Sequence, residues 1–164
     1  MLFSLVAIVL GLGFINRYVQ IGSRKTEKEG IKVVSYNVQN FTGKKVSDQK
    51  ERASRIVDFL RSQNPDIICL QDVLLSDSRI FSLKKTVSNL ESIEYYHFAR
   101  TGGSFGQVTF TRYPIVKKGE IRYKKSPNMA IYTDVLIGSD TVRIFNVHLQ
   151  SYRIDPRKYN IIDS

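Results

Sequence analysis

The chain has 164 residues, 42% of them hydrophobic, with 25 Lys and Arg against 15 Asp and Glu, a formal charge of +10. That length suits one domain with a core, and the composition excludes a low-complexity chain. The positive charge points to an anionic partner (phosphate esters, nucleic acid or a lipid surface), and the one cysteine, Cys69, excludes an internal disulfide and argues against a thiolate metal site.

The run from Leu2 to Ile15, LFSLVAIVLGLGFI, carries no charge. At ~1.5 Å per residue it covers roughly 21 Å, short of the ~30 Å hydrocarbon core. Tyr18, Val19 and Ile21 lengthen it if Arg17 snorkels to the interface. No basic stretch precedes it and no clear small-x-small cleavage site follows it. Residues 1–21 are therefore expected to form a membrane-anchor helix, ahead of a signal peptide or a buried soluble helix. The chain is expected to be membrane-associated through this single N-terminal anchor. The flanking Arg17, Arg24 and Lys25 do not fix the side of the membrane, because the charge rule is weak for one short segment. Residues 22–30, GSRKTEKEG, read as a polar linker.

From Ile31 the pattern is that of a folded domain. IKVVSYNV (31–38) reads as a strand, and SDQKERASRIVDFLRSQN (47–64) as a helix. In that helix Ser47 is the expected cap, and Ala53, Ile56, Phe59 and Leu60 the expected buried face, with Pro65 as the stop. DIICLQDV (66–73) is the second strand. Strand, helix, strand over about 40 residues is a unit whose strands run parallel with a right-handed crossover. A further helical stretch is expected near Ser78–Leu90. Then EYYHFAR, FGQVTFTRY, GEIRY, MAIYTDVLI and TVRIFNVHL follow as closely spaced strands, the last two joined by the hairpin turn in IGSDT. The chain is α/β at first and then mostly antiparallel.

Parallel strands end at one edge of their sheet, and ligands bind outside those carboxyl ends. That places Asn37 and Asp72 together, an amide and a carboxylate whose oxygens suit a hard cation such as Mg²⁺. Asn37 has an equally good reading as a turn residue. His148 ends an apolar strand after Asn146. A histidine in such a place is more often a satisfied core group than a catalyst, unless three strand ends converge on it. His97 has no companion motif and reads as structural. Arg112, Lys117, Lys118, Arg122, Lys124 and Lys125, with Tyr113 and Tyr123 among them, form either a polyanion-binding face or a solvated loop run.

The segments KVVSYNVQNF, NPDIICLQDV, FGQVTFTRYPIVKKGEI, NMAIYTDV and TVRIFNVHLQS, in that order, resemble the endonuclease/exonuclease/phosphatase family of DNase I-like metal-dependent phosphoesterases. The anchor followed by NRYVQIGSRK looks like the membrane-tethered bacterial branch. The resemblance implies a four-layer α/β sandwich and Mg²⁺-assisted attack of water on a phosphate ester. It implies Mg²⁺ on Asp72, in the place of the family's metal-binding Glu, with Asn37 orienting near the metal and His148 contacting the scissile phosphate. Asp72 departs from the family's LQE by one methylene, which withdraws the carboxylate by roughly a bond length against the tight ~2.0–2.1 Å geometry of Mg²⁺.

The resemblance also implies later Asp-x-Asn and Asp-His motifs that the sequence to Ser164 does not match. Residues 31–164 are accordingly expected to be about the first half of the domain: one mixed sheet with covering helices, inactive or incomplete by itself. Val33, Ile68, Phe110, Ile144 and Val147, or their alternating neighbours, would then line an inner face with no second sheet against it. The expected partners are a phosphate-ester substrate (nucleic acid or a phospholipid head group), the membrane, and a complementary C-terminal half or a second copy. The alternative function is a non-catalytic, membrane-tethered basic module that binds a polyanion or a protein.

Overall fold

The computed structural model describes residues 30–101, 103–124 and 126–149. The expected anchor, residues 1–21, lies outside them, and among the described residues no helix is long and apolar enough to cross a membrane.

Strand β1 (Val33–Asn37), helix α1 (Val46–Gln63) and strand β2 (Ile67–Leu74) form the expected strand–helix–strand unit, with β1 and β2 parallel from Val33↔Ile67 to Asn37↔Gln71. Helix α1 is capped two residues before the expected cap. Lys45 occupies the N-cap and its N–H donates to the Asp48 carboxylate at 3.1 Å, while the Ser47 hydroxyl bonds only to Asp48. Its buried face is Ala53, Val57 and Leu60, and the expected Phe59 points out to solvent. Spacings of four and three define that stripe, and Phe59 falls one residue off it. The helix stops at Asn64, which takes the left-handed conformation at φ 42° ahead of Pro65.

Helix α2 (Leu83–Asn89) is shorter than the expected stretch, and Ser82 caps it by accepting from the Lys85 N–H. Strands β3 (Tyr95–Arg100) and β4 (Phe105–Thr111) complete a four-stranded sheet of order β1-β2-β4-β3, antiparallel beyond β2. The remaining strands, β5 (Ile115–Arg122), β6 (Met129–Ile137) and β7 (Asp140–Val147), make a separate antiparallel three-stranded sheet, order β5-β6-β7. The Gly138-Ser139 hairpin joins β6 to β7, with Gly138 at φ 61°.

The class is the expected α/β, but the strands that were expected to build one sheet divide into two. Pro114 explains the break. It has no N–H to extend the ladder of β4, and its carbonyl accepts from Leu136 of β6 instead.

The two sheets lie face to face, so the inner face of the first sheet is covered. Its lining also differs from expectation. Ile68 and Phe110 point the other way, into the apolar core under the helices, together with Leu60, Leu70, Val73, Phe81 and Val108. Val33 and Val147 are exposed. Strict alternation sends the neighbours of Ile68, Leu70 and Phe110 between the sheets, and apart from Ile67 those neighbours are small or polar. Cys69, Gln71, His97, Gln107, Thr109, Thr133 and Asn146 are all buried there or at its rim. Burial pushes the Cys69 thiol up to about 11, which suits a small packing residue and not a reactive one.

A candidate phosphoester site at the strand ends

Strand β2 does not run straight through its carboxyl end. Leu70 pairs with Val108 and Val73 with Gly106, so Gln71 and Asp72 stand opposite the single residue Gln107. Two residues against one is a β-bulge. Asp72 takes φ 57° in it, a left-handed conformation that Asp tolerates better than most residues. The bulge turns the half-buried Asp72 carboxylate into a cavity of about 110 Å³ that His148, Asn128, Gln107 and Gly106 also line.

The chain after β1 is distorted in the same way. Gln39, Asn40 and Phe41 take φ of 47°, 57° and 54°, three consecutive non-glycine residues in the left-handed region. Such residues cost of order 1–3 kcal/mol each and persist only where the surroundings over-determine them. Here the anchors are visible. The Asn37 side-chain oxygen accepts the Gln39 N–H at 2.9 Å, and the Val38 N–H donates to the Gln71 carbonyl at 3.0 Å. Phe41 is buried against Phe81, ring centroids 5.1 Å apart.

The same Asn37 amide reaches the third strand end. Its Nδ2 lies 3.4 Å from His148 Nε2. An amide nitrogen only donates, so Nε2 is the acceptor and the neutral ring carries its proton on Nδ1. His148 is placed by its own backbone, whose N–H donates to the Met129 carbonyl at 3.1 Å. Asn128, beside Met129, donates to the Leu149 carbonyl at 2.7 Å.

Asn37, Asp72 and His148 thus come to one end of the described fold, Asn37 beside His148 and His148 with Asp72 on one cavity. Reading the sequence missed Asn40, Gln107 and Asn128. Asn128 was legible only as a turn before β6, Gln107 as one polar residue in a buried strand. His97 lies away from this end, buried with Nδ1 2.9 Å from the Thr133 hydroxyl, as a structural residue should be. A larger groove of about 880 Å³ between β1 and α1 holds Tyr36, Arg52, Arg55 and Phe59, with Asn37 and Gln39 at its rim. Among the described residues lining it there is no carboxylate or histidine.

The oxygens around Asp72 fit a hydrated hard cation. Gln107 donates its amide to the Met129 carbonyl and leaves Oε1, a buried acceptor, without a hydrogen-bond partner among the described residues. With Asp72 that makes two oxygens of the type Mg²⁺ takes beside water and substrate phosphate. Among the described residues no cluster of three His, Cys, Asp or Glu could enclose an ion.

The family model described as "Endonuclease/Exonuclease/phosphatase family" matches residues 34–162. Among curated proteins no sequence relative reaches significance. Solved structures do. D. rerio TDP2 complexed with single strand DNA product is 16% identical, with a TM-score of 0.61 over 78% of this chain and 49% of that one. Sphingomyelinase C from Streptomyces griseocarneus is 17% identical, TM-score 0.61, over 76% of this chain and 50% of that one. An endonuclease/exonuclease/phosphatase from Beutenbergia cavernae DSM 12333 is 18% identical, TM-score 0.61, over 76% and 39%. These likenesses are of fold, and the chain spans half or less of the length of each of these structures.

Proposed function

The chain belongs to the endonuclease/exonuclease/phosphatase family, and on that premise we propose that it carries the metal-and-phosphate half of a divalent-metal-dependent phosphoester hydrolase. The observation that carries this is the meeting of Asp72 and His148 on one cavity, with Asn37 bonded to the histidine. Asp72, on the cavity that Gln107 also lines, is the group that would hold Mg²⁺; when bound, the ion supplies Lewis-acid polarisation of a phosphoryl oxygen. Asn37 keeps Nε2 of His148 occupied as an acceptor, so Nδ1–H is the atom left to donate to a phosphate oxygen. Asp72 is the only carboxylate among the described residues lining that cavity. By itself the chain is a binder of phosphate esters with little or no turnover. Its substrate is the phosphate ester of a nucleic acid or of a phospholipid head group, and residues 1–21 hold the domain at a membrane.

The polyanion-module alternative has less support. Arg112 is paired with Asp66 at 2.9 Å, Lys118 donates to the Tyr96 carbonyl, and Arg122 to the Arg100 carbonyl and to Glu120. Half of the six-residue basic cluster is thus engaged within the domain.

Mn²⁺-induced broadening of the ³¹P resonance of dimethyl phosphate tests the reading. The full chain should broaden it in a saturable way, and Asp72→Ala and His148→Ala should each abolish the protein-dependent part. Broadening indifferent to both changes overturns the assignment. Fractionation tests the anchor: the full chain should enter the membrane fraction and residues 22–164 should not, whereas an intact full chain in the soluble fraction defeats it.

A further inference from the structure

Asn40 is at the centre of the left-handed turn, half-buried, with its side chain against Asp72. Both neighbours of its amide are acceptors, which sets its orientation: the nitrogen donates to Asp72 Oδ1 at 3.0 Å and to the Asp72 carbonyl at 2.9 Å. The turn itself does not need this side chain. It is tied at its start by Asn37 and at its end by buried Phe41, and backbone bonds run from Phe41 N–H to the Val38 carbonyl and from Thr42 N–H to the Gln39 carbonyl. The one amide grips a carboxylate oxygen and the main-chain oxygen of the same bulged residue. It therefore fixes both the rotamer of Asp72 and the local path of β2.

We propose that Asn40 is a positioning residue, which pins one oxygen of the Asp72 carboxylate and aims the other, Oδ2, at a divalent cation. The inference rests on the metal reading above. It also accounts for how a carboxylate one methylene shorter than glutamate serves this place: a bulge brings it forward, and a tethered amide stops it from turning back. Hydrogen-bond partners of metal ligands fix ligand orientation, and their removal typically costs 10–100-fold in affinity.

The test uses the full chain and glycine substitutions, because glycine keeps a positive φ without strain. Mn²⁺ binding is counted by the electron paramagnetic resonance of the free ion. Asn40→Gly should weaken Mn²⁺ about tenfold or more, and Asp72→Gly should remove the site. In parallel, thermal unfolding of the two single variants and the double variant forms a cycle. Asn40→Gly should lower the melting temperature more in the Asp72 chain than in the Asp72→Gly chain. Unchanged Mn²⁺ affinity in Asn40→Gly, or additive melting shifts, overturns the role of Asn40 while leaving the metal reading intact. No Mn²⁺ binding by the parent chain overturns the metal reading, and the role of Asn40 with it.

Discussion

The Gln71 side-chain amide donates to the Asn146 side-chain oxygen at 2.7 Å, and this bond joins the strand that delivers Asp72 to the strand that delivers His148. Asn146 returns two bonds to the first sheet, from its Nδ2 to the carbonyls of Leu70 at 3.1 Å and Val108 at 2.9 Å. Both side chains are buried. One residue upstream of Asp72 and two upstream of His148, the two sheets are bolted together.

Replacing Asn146 by Ala takes from the Gln71 amide its 2.7 Å bond and leaves it those to the Ser35 hydroxyl and the Cys69 carbonyl. It also removes one bond from each of the Leu70 and Val108 carbonyls. A hydrogen bond contributes about 0.5–1.5 kcal/mol, so Asn146→Ala, which loses three, should destabilise the domain by about 3 kcal/mol. Urea unfolding measures it, and a loss under about 0.5 kcal/mol would show that the sheets are held by other contacts. Mn²⁺-dependent phosphate binding should fall as well, because His148 loses its fixed distance from Asp72.

Acid should loosen the same interface through His97. Burial first, and then the positive charge of Lys118, hold its pKa below the ordinary 6.5, with Glu120 pulling the other way. The unfolded chain therefore binds the proton at a higher pH than the folded one. Stability from neutral His97 is complete above about pH 6.5 and is lost as pH falls through and below that value. Melting temperatures of the parent and of His97→Gln should converge on acidification from pH 7.5 to 5.5, after allowing for any difference at pH 7.5. Parallel curves across that range would contradict a buried, neutral histidine.

Gly106 of β4 pairs with Arg100 of β3. A Cβ built there would lie 2.2 Å from the Ala99 carbonyl oxygen, a main-chain atom of the paired strand that cannot swing aside. Gly106→Ala should cost about 3 kcal/mol, the upper end of the range for overpacking. Because Gly106 also lines the cavity with Asp72, phosphate binding should weaken in step. An unchanged urea midpoint would mean that the strands part without strain.

Self-association is expected of residues 30–164. The covered inner face removes one reason for it, but two surfaces remain. Ile121, Phe145 and Val147 are 44%, 54% and 40% exposed on the outer face of the second sheet. Strand β1 is an edge strand whose Val33 and Tyr36 are 55% and 42% exposed. Apolar faces and free edges invite a second chain. Sedimentation across a tenfold concentration range should show a rising mass. A monomer at every concentration would exclude both surfaces as sites of self-association.

Much of this was legible in the sequence where the signal is local. Polar and apolar residues alternate with period 3.6 through α1, the Gly138 hairpin is a two-residue turn, and the parallel unit alone brings Asn37 and Asp72 to one edge. What escaped was non-local. In IICL every position is apolar, so Ile68 and Cys69 could not be assigned to opposite faces from their own chemistry. The division of one expected sheet into two turns on the missing N–H of Pro114, and nothing in the flanking strands reports which partner they choose. The bulge at Asp72 leaves no mark either, because two residues opposite one is a property of the pair β2–β4 and not of β2. The left-handed turn at Gln39–Phe41 has no glycine to announce it; Asn40 was the one hint.

The polar seam between the sheets has a calorimetric consequence. Apolar surface exposed on unfolding raises the heat capacity and polar surface lowers it. In an ordinary sandwich the layer between two sheets is the most apolar part of the molecule. Here it mixes amides, hydroxyls and an imidazole with a small apolar cluster of Ala99, Met129 and Ile131, and the larger apolar cluster lies under the helices. Unfolding should therefore show a heat-capacity increment per residue below the ~12–15 cal/mol/K of typical domains. A smaller increment flattens the stability curve, so this domain should lose less of its stability in the cold than a protein of the same size with an oily centre.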